Sequence, residues 1–179
     1  DSVLLGSSMT TNFDTSKFMD EMGLKTQKLS YNGAYPKDQD NILKIVFEEK
    51  REEFEKFRSL LLEYNEKYNL TSITEEKDIY YKHFLDSVIG ERFFKEGARV
   101  CEIGSGAGFP SIPLKILRPD LKLDLFESVG KKCAFLQAVV DNFQFKDVHI
   151  YNIRAEEGAK SVDFREKYKD VIRLHIKIL

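Results

Sequence analysis

Eleven residues, Val100-Cys-Glu-Ile-Gly-Ser-Gly-Ala-Gly-Phe-Pro110, constrain this chain more than any other stretch. A short apolar run around Val100 and Ile103 that feeds straight into three glycines reads as a buried strand, a tight turn and the start of a helix. Gly104, Gly106 and Gly108 leave no side chains where a ligand could lie against backbone. Pro110 and Pro113 suit the first turn of the following helix, where a missing N–H costs little. The expectation is an α/β fold with a Rossmann-like parallel sheet and a crevice at the carboxyl end of this strand.

The spacing narrows what such a crevice holds. Dinucleotide folds use G-x-G-x-x-G, but here the pattern is G-x-G-x-G and Phe109 stands where the third glycine would be. The Gly-Lys-Ser/Thr ending of a phosphate-binding P-loop is absent. Glu102, two residues before Gly104, would repel a pyrophosphate and suits the amino group of an amino-acid-bearing cofactor. S-adenosylmethionine fits that description. Folds of this kind place an acid on the ribose hydroxyls about twenty residues further on. Leu121-Lys-Leu-Asp-Leu-Phe126 reads as a second strand, and Glu127 closes it. Two readings compete: a glycine loop that only tightens a strand-to-helix corner, and an NAD-linked oxidoreductase, against which the missing third glycine argues.

At 179 residues the chain is one ordinary domain with room for an appendage, and 42% hydrophobic residues can bury a core. No window approaches the roughly 18 apolar residues that span a bilayer, and Ser2-Val-Leu-Leu-Gly-Ser-Ser8 is short for a signal peptide and lacks a basic lead. Cys101 and Cys133 show no metal spacing, so no metal is expected and reduced thiols in a cytoplasmic protein are the default. With a net charge of −2, any nucleic-acid contact must come from a local patch. Residues 1–40 read as an N-terminal extension, in part disordered, with one short helix around Phe13 to Met22. Residues 41–97 read as a helical subdomain, and residues 98–179 as the cofactor-binding domain.

In the helical part, Leu43, Phe47, Phe54, Phe57, Leu61, Tyr64 and Tyr68 recur at helical spacing, with a charged face between them. This predicts a long amphipathic helix ending near Asn69, with Asn65 and Asn69 terminating it rather than touching substrate. Thr74 is placed to cap a second helix whose apolar stripe is Ile79, Tyr80, His83, Phe84 and Val88, with Gly90 as its stop. His83 and Asp86 share one helix surface, and a packed, hydrogen-bonded histidine is preferred over acid–base chemistry. Downstream, Ser128 is placed to cap a helix through about Phe143. Lys131 and Lys132 stand in its first turn against the helix dipole, either simply solvated or facing an anionic substrate. Val148-His-Ile-Tyr-Asn-Ile153 reads as a third strand. The loop after it would bring Ala155 and Glu156 beside the adenine, with Arg154 toward substrate. From Lys160 onward basic residues outnumber acidic ones, making this the most nucleic-acid-friendly edge.

Taken together, Glu63-Tyr-Asn-Glu-Lys-Tyr-Asn-Leu-Thr71, His83-Phe-Leu-Asp-Ser87, Glu102-Ile-Gly-Ser-Gly-Ala-Gly-Phe-Pro110, Ser128-x-x-Lys-Lys-x-x-Phe-Leu136 and Arg154-Ala-Glu156 resemble the RsmG (GidB) family, bacterial methyltransferases of small-subunit ribosomal RNA. The resemblance covers about residues 42 to 172. It implies a class I methyltransferase sheet, of which this chain holds the first half. It also implies methyl transfer from S-adenosylmethionine to N7 of one guanine in 16S ribosomal RNA, on the naked RNA or the small subunit, by a monomer. The family's cofactor contacts fall on Gly104, Phe109, Ala155 and Glu156. Glu102, Ser105, Gly106, Gly108, Glu127 and Ser128 complete the expected cofactor set, and Arg173 is matched to a cofactor- or substrate-side arginine. Lys131, Lys132 and Arg154 are expected on the substrate side, and no residue is nominated as catalytic. Phe109 is either a stacking shelf or the packing of the turn onto its helix. The alternative function is a cofactor-binding module without transfer activity.

Overall fold

The computed structural model describes residues 2–6, 28–30, 48–88, 91, 94–162, 164 and 171–175. Six strands form one sheet: β1 (Ser2–Gly6), β2 (Lys28–Ser30), β3 (Arg99–Ile103), β4 (Lys122–Phe126), β5 (Val148–Tyr151) and β6 (Val171–His175). Their spatial order is β2-β6-β1-β3-β4-β5, and every neighbouring pair is parallel. The helices are α1 (Arg51–Tyr68), α2, α3 (Ser111–Leu117), α4 (Gly130–Phe143) and α5 (Ala155–Lys160). α2 runs through three consecutive segments, Glu76–Asp78, the π-helical Ile79–Leu85, and Asp86–Val88. Among the described residues no helix is long and apolar enough to cross a membrane. The parallel sheet with helices packed on it is a Rossmann-like α/β fold.

The strand–turn–helix at β3 forms where the sequence predicts it, and β4 and β5 follow with one-for-one register, Ile103 level with Phe126 and Phe126 level with Tyr151. Within the first forty residues, the described segments Ser2–Gly6 and Lys28–Ser30 are strands of the sheet. They read as an extension, yet β1 lies between β3 and β6, with Leu4 level with Cys101 on one side and Arg173 on the other. β2 adds to the far side of β6. Val3-Leu4-Leu5 is a short continuous apolar run of the kind that a buried parallel strand uses. The helix expected around Phe13 to Met22 lies outside the described residues, as do Leu43, Phe47 and Gly90.

Helix ends show where local signals are overruled. α1 stops at Tyr68 because Asn69 turns left-handed (φ 50°) and its N–H bonds Asn65 O at 2.9 Å, as expected of an asparagine at this position. Thr74 does not cap α2: that helix starts at Glu76, with Glu75 as its cap and no side-chain bond. Ser128 does not cap α4 either. Val129 takes the cap position without a side-chain capping bond, and its own N–H goes to the Glu127 carboxylate at 2.8 Å.

One apolar cluster joins the helical segment to the sheet: Phe54, Phe57 and Leu61 of α1, Ile79 and Phe84 of α2, Val100, Leu123 and Leu125 of the strands, and Phe135 and Leu136 of α4 are all buried in it. Phe57 is the hinge pin of this cluster, its ring 5.7 Å from Phe84, 5.4 Å from Phe109 and 6.4 Å from Phe135. The helical segment is thereby packed directly on the glycine turn. On the opposite sheet face, the fully buried Asp124 is paired with Arg99 at 2.8 Å and accepts the Tyr151 hydroxyl at 3.2 Å, so its charge is met rather than stranded.

Candidate cofactor site at the glycine turn

The turn after β3 is tied to the end of β4. Gly104 N–H donates to Phe126 O at 2.8 Å and Ser105 N–H to the same oxygen at 3.2 Å. Gly106 N–H donates to Glu127 Oε2 at 2.8 Å, and Val129 N–H to Glu127 Oε1 at 2.8 Å. Glu127 therefore braces the turn to the start of α4 with both carboxylate oxygens. Its own backbone N–H reaches Tyr151 O at 3.0 Å, and Asn152 Nδ2 donates to Glu127 O at 3.0 Å, bringing the end of β5 into the same corner. The two acids and the three glycines that the sequence singles out are thus in one place, at the carboxyl ends of β3 and β4.

The glycines do different jobs. Among the described residues, a Cβ on Gly106 (φ 56°) would meet only Gly104 O, at 3.8 Å, so they leave the space above it open. A Cβ on Gly108 (φ 82°) would lie 2.5 Å from Ile112 Cγ1 and 3.1 Å from Leu136 Cδ2. Gly108 is where α3 and α4 press onto the turn, the close-packing role that the sequence pattern would assign to a third glycine at position 109. Phe109 is free to be large because it faces the helical segment. Its ring stacks on His83 at 4.2 Å and 12°, and it is buried. These contacts pack Phe109 against α1 and α2 of the helical segment.

Glu102 is the unusual group. In β3 it is level with Leu125 as Val100 is with Leu123, so it points to the same apolar sheet face. It is 0% exposed, and neither carboxyl oxygen has a hydrogen-bond partner among the described residues. Ser111, the first residue of α3, stands alongside. Its hydroxyl and backbone N–H favour the ionised form without reaching hydrogen-bonding geometry, and its Oγ is itself buried and unpartnered. Burial dominates, and with the nearby charge of Glu127 it pushes the Glu102 carboxyl up to about 8. An orphaned buried acid beside open backbone is what an amino-acid-bearing, cationic cofactor would need, so the residues present fit S-adenosylmethionine.

The remaining expected residues are spread around this corner. Ser105 is buried and spent on Phe126 O. Ser128 and Lys131 are exposed, and Lys132 is half-buried in the first turn of α4. Arg154 is the exposed N-cap of α5, followed by the half-buried Ala155 and the exposed Glu156. Arg173 lies within β6, level with Leu4 and hence with Cys101, so its backbone is set back from the strand ends and separated from β3 by β1. Of the other basic residues from 160 onward, Lys160 is exposed, and Arg165, Lys167, Lys169 and Lys177 lie outside the described residues.

His83 is packed and hydrogen-bonded as its position on the stripe implies. Its Nε2 is 3.1 Å from Thr71 Oγ1, and Thr71 N–H is held by Asn65 Oδ1 at 2.8 Å. Burial lowers the His83 pKa to about 4 and raises that of Asp86 to about 6. Residues that sequence reasoning passed over are Ser111, Val129 and Asn152. None carries a motif signal: Ser111 and Val129 are placed by the acids Glu102 and Glu127, and Asn152 by the pairing of β4 with β5.

Comparison with known proteins agrees with the geometry. Residues 50–173 match the family described as "GidB: rRNA small subunit methyltransferase G". A protein named "Ribosomal RNA small subunit methyltransferase G" from Pediococcus pentosaceus is 45% identical over 124 residues, covering 66% of this chain and 51% of the relative. The same-named protein of Lactobacillus acidophilus is 43% identical over 126 residues (68% and 52%). That of Staphylococcus aureus is 44% identical over 127 residues (70% and 52%). The chain thus spans about half the length of the curated relatives it matches. With the family match covering more than half of the chain and including the glycine turn, both flanking acids and the helices packed on them, the protein belongs to the GidB family of small-subunit rRNA methyltransferases.

Proposed function

We propose that this protein transfers the methyl group of S-adenosylmethionine to N7 of a guanine in small-subunit (16S) ribosomal RNA, acting as a monomer in the cytoplasm. The observation that carries the reading is the seat at the end of β3: open space above Gly106, with Glu102 unpartnered on one side and Glu127 fixed by the turn's own N–H on the other. When bound, the cofactor supplies an electrophilic methyl group on a sulfonium. Glu127 keeps a lone pair on each oxygen beyond the two it spends on Gly106 and Val129, and these accept the ribose hydroxyls. Glu102 receives the amino-acid end. Gly104, Ser105, Gly106, Gly108 and Phe109 shape the backbone cradle. Ser128, Ala155 and Glu156 border the adenine, and Arg173 is the most distant member of the proposed set.

Guanine N7 presents a lone pair at neutral pH, so no proton must leave before attack. The chain's residues need only bind, orient and exclude water, and such positioning is worth up to about 7–11 kcal/mol in the best cases. No general base is required, which suits a His83 already bonded to Thr71 and held neutral by burial. Lys131, Lys132 and Arg154, all near the carboxyl edge of the sheet, take the RNA phosphates. That role explains why two lysines stand in the first turn of α4 against the helix dipole.

The test is tritiated methyl transfer to ribosomal RNA purified from cells lacking the modification, together with equilibrium titration of S-adenosylhomocysteine and of NADH. The expected result is label recovered as 7-methylguanine in small-subunit RNA, with binding of S-adenosylhomocysteine and none of NADH. Binding without transfer would leave a cofactor-binding module. Failure to bind S-adenosylhomocysteine would overturn the reading.

A further inference from the structure

We infer that Glu102 and Ser111 together form an ammonium seat, and that arrival of the methyl donor's α-ammonium group in it expels a proton from Glu102 to solvent. The inference rests on the cofactor reading above and assigns Ser111, a residue outside the expected set, to the site.

Three oxygens carry the argument. Glu102 Oε1, Glu102 Oε2 and Ser111 Oγ are buried and unpartnered, on residues that are each 0% exposed, where β3 ends and α3 begins. Buried polar atoms in folded proteins are nearly always satisfied, so three together mark a place where something is to be received. A primary ammonium has three N–H donors and no acceptor, which matches three acceptor oxygens in number and in sign. Ser111 Oγ–H and the protonated carboxyl can also donate, but only a cation would favour the ionised form of Glu102.

The proton follows from what surrounds Glu102. β4 brings Leu125 level with it, and β1 brings Leu5. The charge that acts on it is that of Glu127, which is negative and disfavours ionisation. Lys115, one turn along α3 from Ser111, is no counter-ion, because its ammonium is spent on the carbonyls of Pro119 and Leu121. The end of α2 packs on α3 and contributes Asp86 and, just before it, a His83 that burial keeps neutral to about pH 4. With no cation at hand among the described residues, burial keeps the carboxyl protonated through neutrality, its pKa about 8. An incoming ammonium supplies the missing charge: the carboxyl O–H bond breaks, its electron pair stays on Glu102, and the proton goes to the buffer.

The test is calorimetric titration of the full chain with S-adenosylhomocysteine at pH 7 in buffers of different ionisation enthalpy. The dependence of the heat on buffer gives the protons released. A group titrating near pH 8 releases about 0.9 proton at pH 7, and Kd then falls about ninefold from pH 6 to pH 7. 5′-Methylthioadenosine, which lacks the amino-acid end, should bind with no release. Glu102→Gln, nearly isosteric, should bind S-adenosylhomocysteine more weakly and without release. Ser111→Ala should keep the release and lose affinity severalfold. Binding by the native protein without proton release, or release that persists in Glu102→Gln, overturns the inference while leaving the cofactor reading intact. Unchanged affinity in Ser111→Ala removes Ser111 from the seat. No binding of S-adenosylhomocysteine at all sinks the cofactor reading itself.

Discussion

Replacing Gly108 and Gly106 separately by alanine should break two different things, although the residues are two positions apart in one turn. At Gly108 the added Cβ would fall 2.5 Å from Ile112 Cγ1 and 3.1 Å from Leu136 Cδ2, with φ at +82°. A left-handed backbone costs a residue with a Cβ about 1–2 kcal/mol. Forcing a methyl into a packed site costs about 1–3 kcal/mol more. Neither neighbour can retreat cheaply, because Ile112 and Leu136 are both fully buried in the shared core. Gly108→Ala should therefore lose about 2–5 kcal/mol, which for a chain of this size lowers Tm by roughly 4–20 °C. At Gly106 the same methyl meets only Gly104 O at 3.8 Å, so the backbone term alone remains, about 1–2 kcal/mol. What Gly106→Ala should lose instead is affinity, since its methyl stands where the proposed ligand lies. Thermal melting and S-adenosylhomocysteine titration of both variants separate the effects. A Gly108→Ala protein that melts with the native one, or a Gly106→Ala protein with native affinity and a large loss of stability, would show that the two roles are assigned to the wrong residues.

Glu127→Ala should weaken S-adenosylhomocysteine binding by about 1–3 kcal/mol and also destabilise the free protein, because the N–H groups of Gly106 and Val129 both lose their acceptor. Titration and urea denaturation read the two losses, and a change in binding alone would remove the bracing role. Lys115→Met should cost about 1–3 kcal/mol by leaving the carbonyls of Pro119 and Leu121 without their donor. Faster amide exchange at Leu121 and Lys122 would locate the loss, and a native exchange pattern would refute it. Asp120 is held at a pKa of about 2, chiefly by its hydrogen bond from Arg118. Its folded pKa is depressed below the ordinary 3.8, so its contribution is present above pH 4 and disappears as the pH falls toward 2. Asp120→Asn should flatten the acid limb of the stability curve in that window, and an unchanged limb would show that the pair contributes nothing.

How much of this was legible in the sequence differs by element. The β3 strand, its glycine turn and Glu127 could be read because each is specified within a few residues: apolar run, glycines, acid at a strand end. The position of β1 could not. Its partner β3 lies almost a hundred residues away, and nothing local in Val3-Leu4-Leu5 states which strand it will pair with. Caps failed for a related reason. Thr74 and Ser128 are sound capping residues on local grounds, but each helix starts one residue too late for them, at Glu76 and Gly130 with Glu75 and Val129 in the cap position. The close packing at Gly108 carries no local signal, because the sequence does not show that Leu136 of α4 will arrive above it. Lys115 gave no signal at all, since a lone lysine near a helix end is ordinarily solvated and only the fold of residues 118–121 turns it inward.

The two acids beside the turn show how one short stretch can hold both a brace and a receptor. Glu127 and Glu102 sit at the ends of paired strands beside the same glycine turn, yet their oxygens are treated in opposite ways. Glu127 is given a backbone N–H for each oxygen, so it fixes the turn before any ligand arrives. Glu102 is given none, and burial drives it toward the neutral form. Environments that push two like groups apart in this manner mark a division of labour. The consequence is a difference in kind between their variants. Loss of Glu127 must appear in the stability of the free protein as well as in binding. Glu102→Gln spares the free protein the cost of ionising a buried acid, so its stability should hold as the pH rises from 5 through 8, where that of the native protein declines.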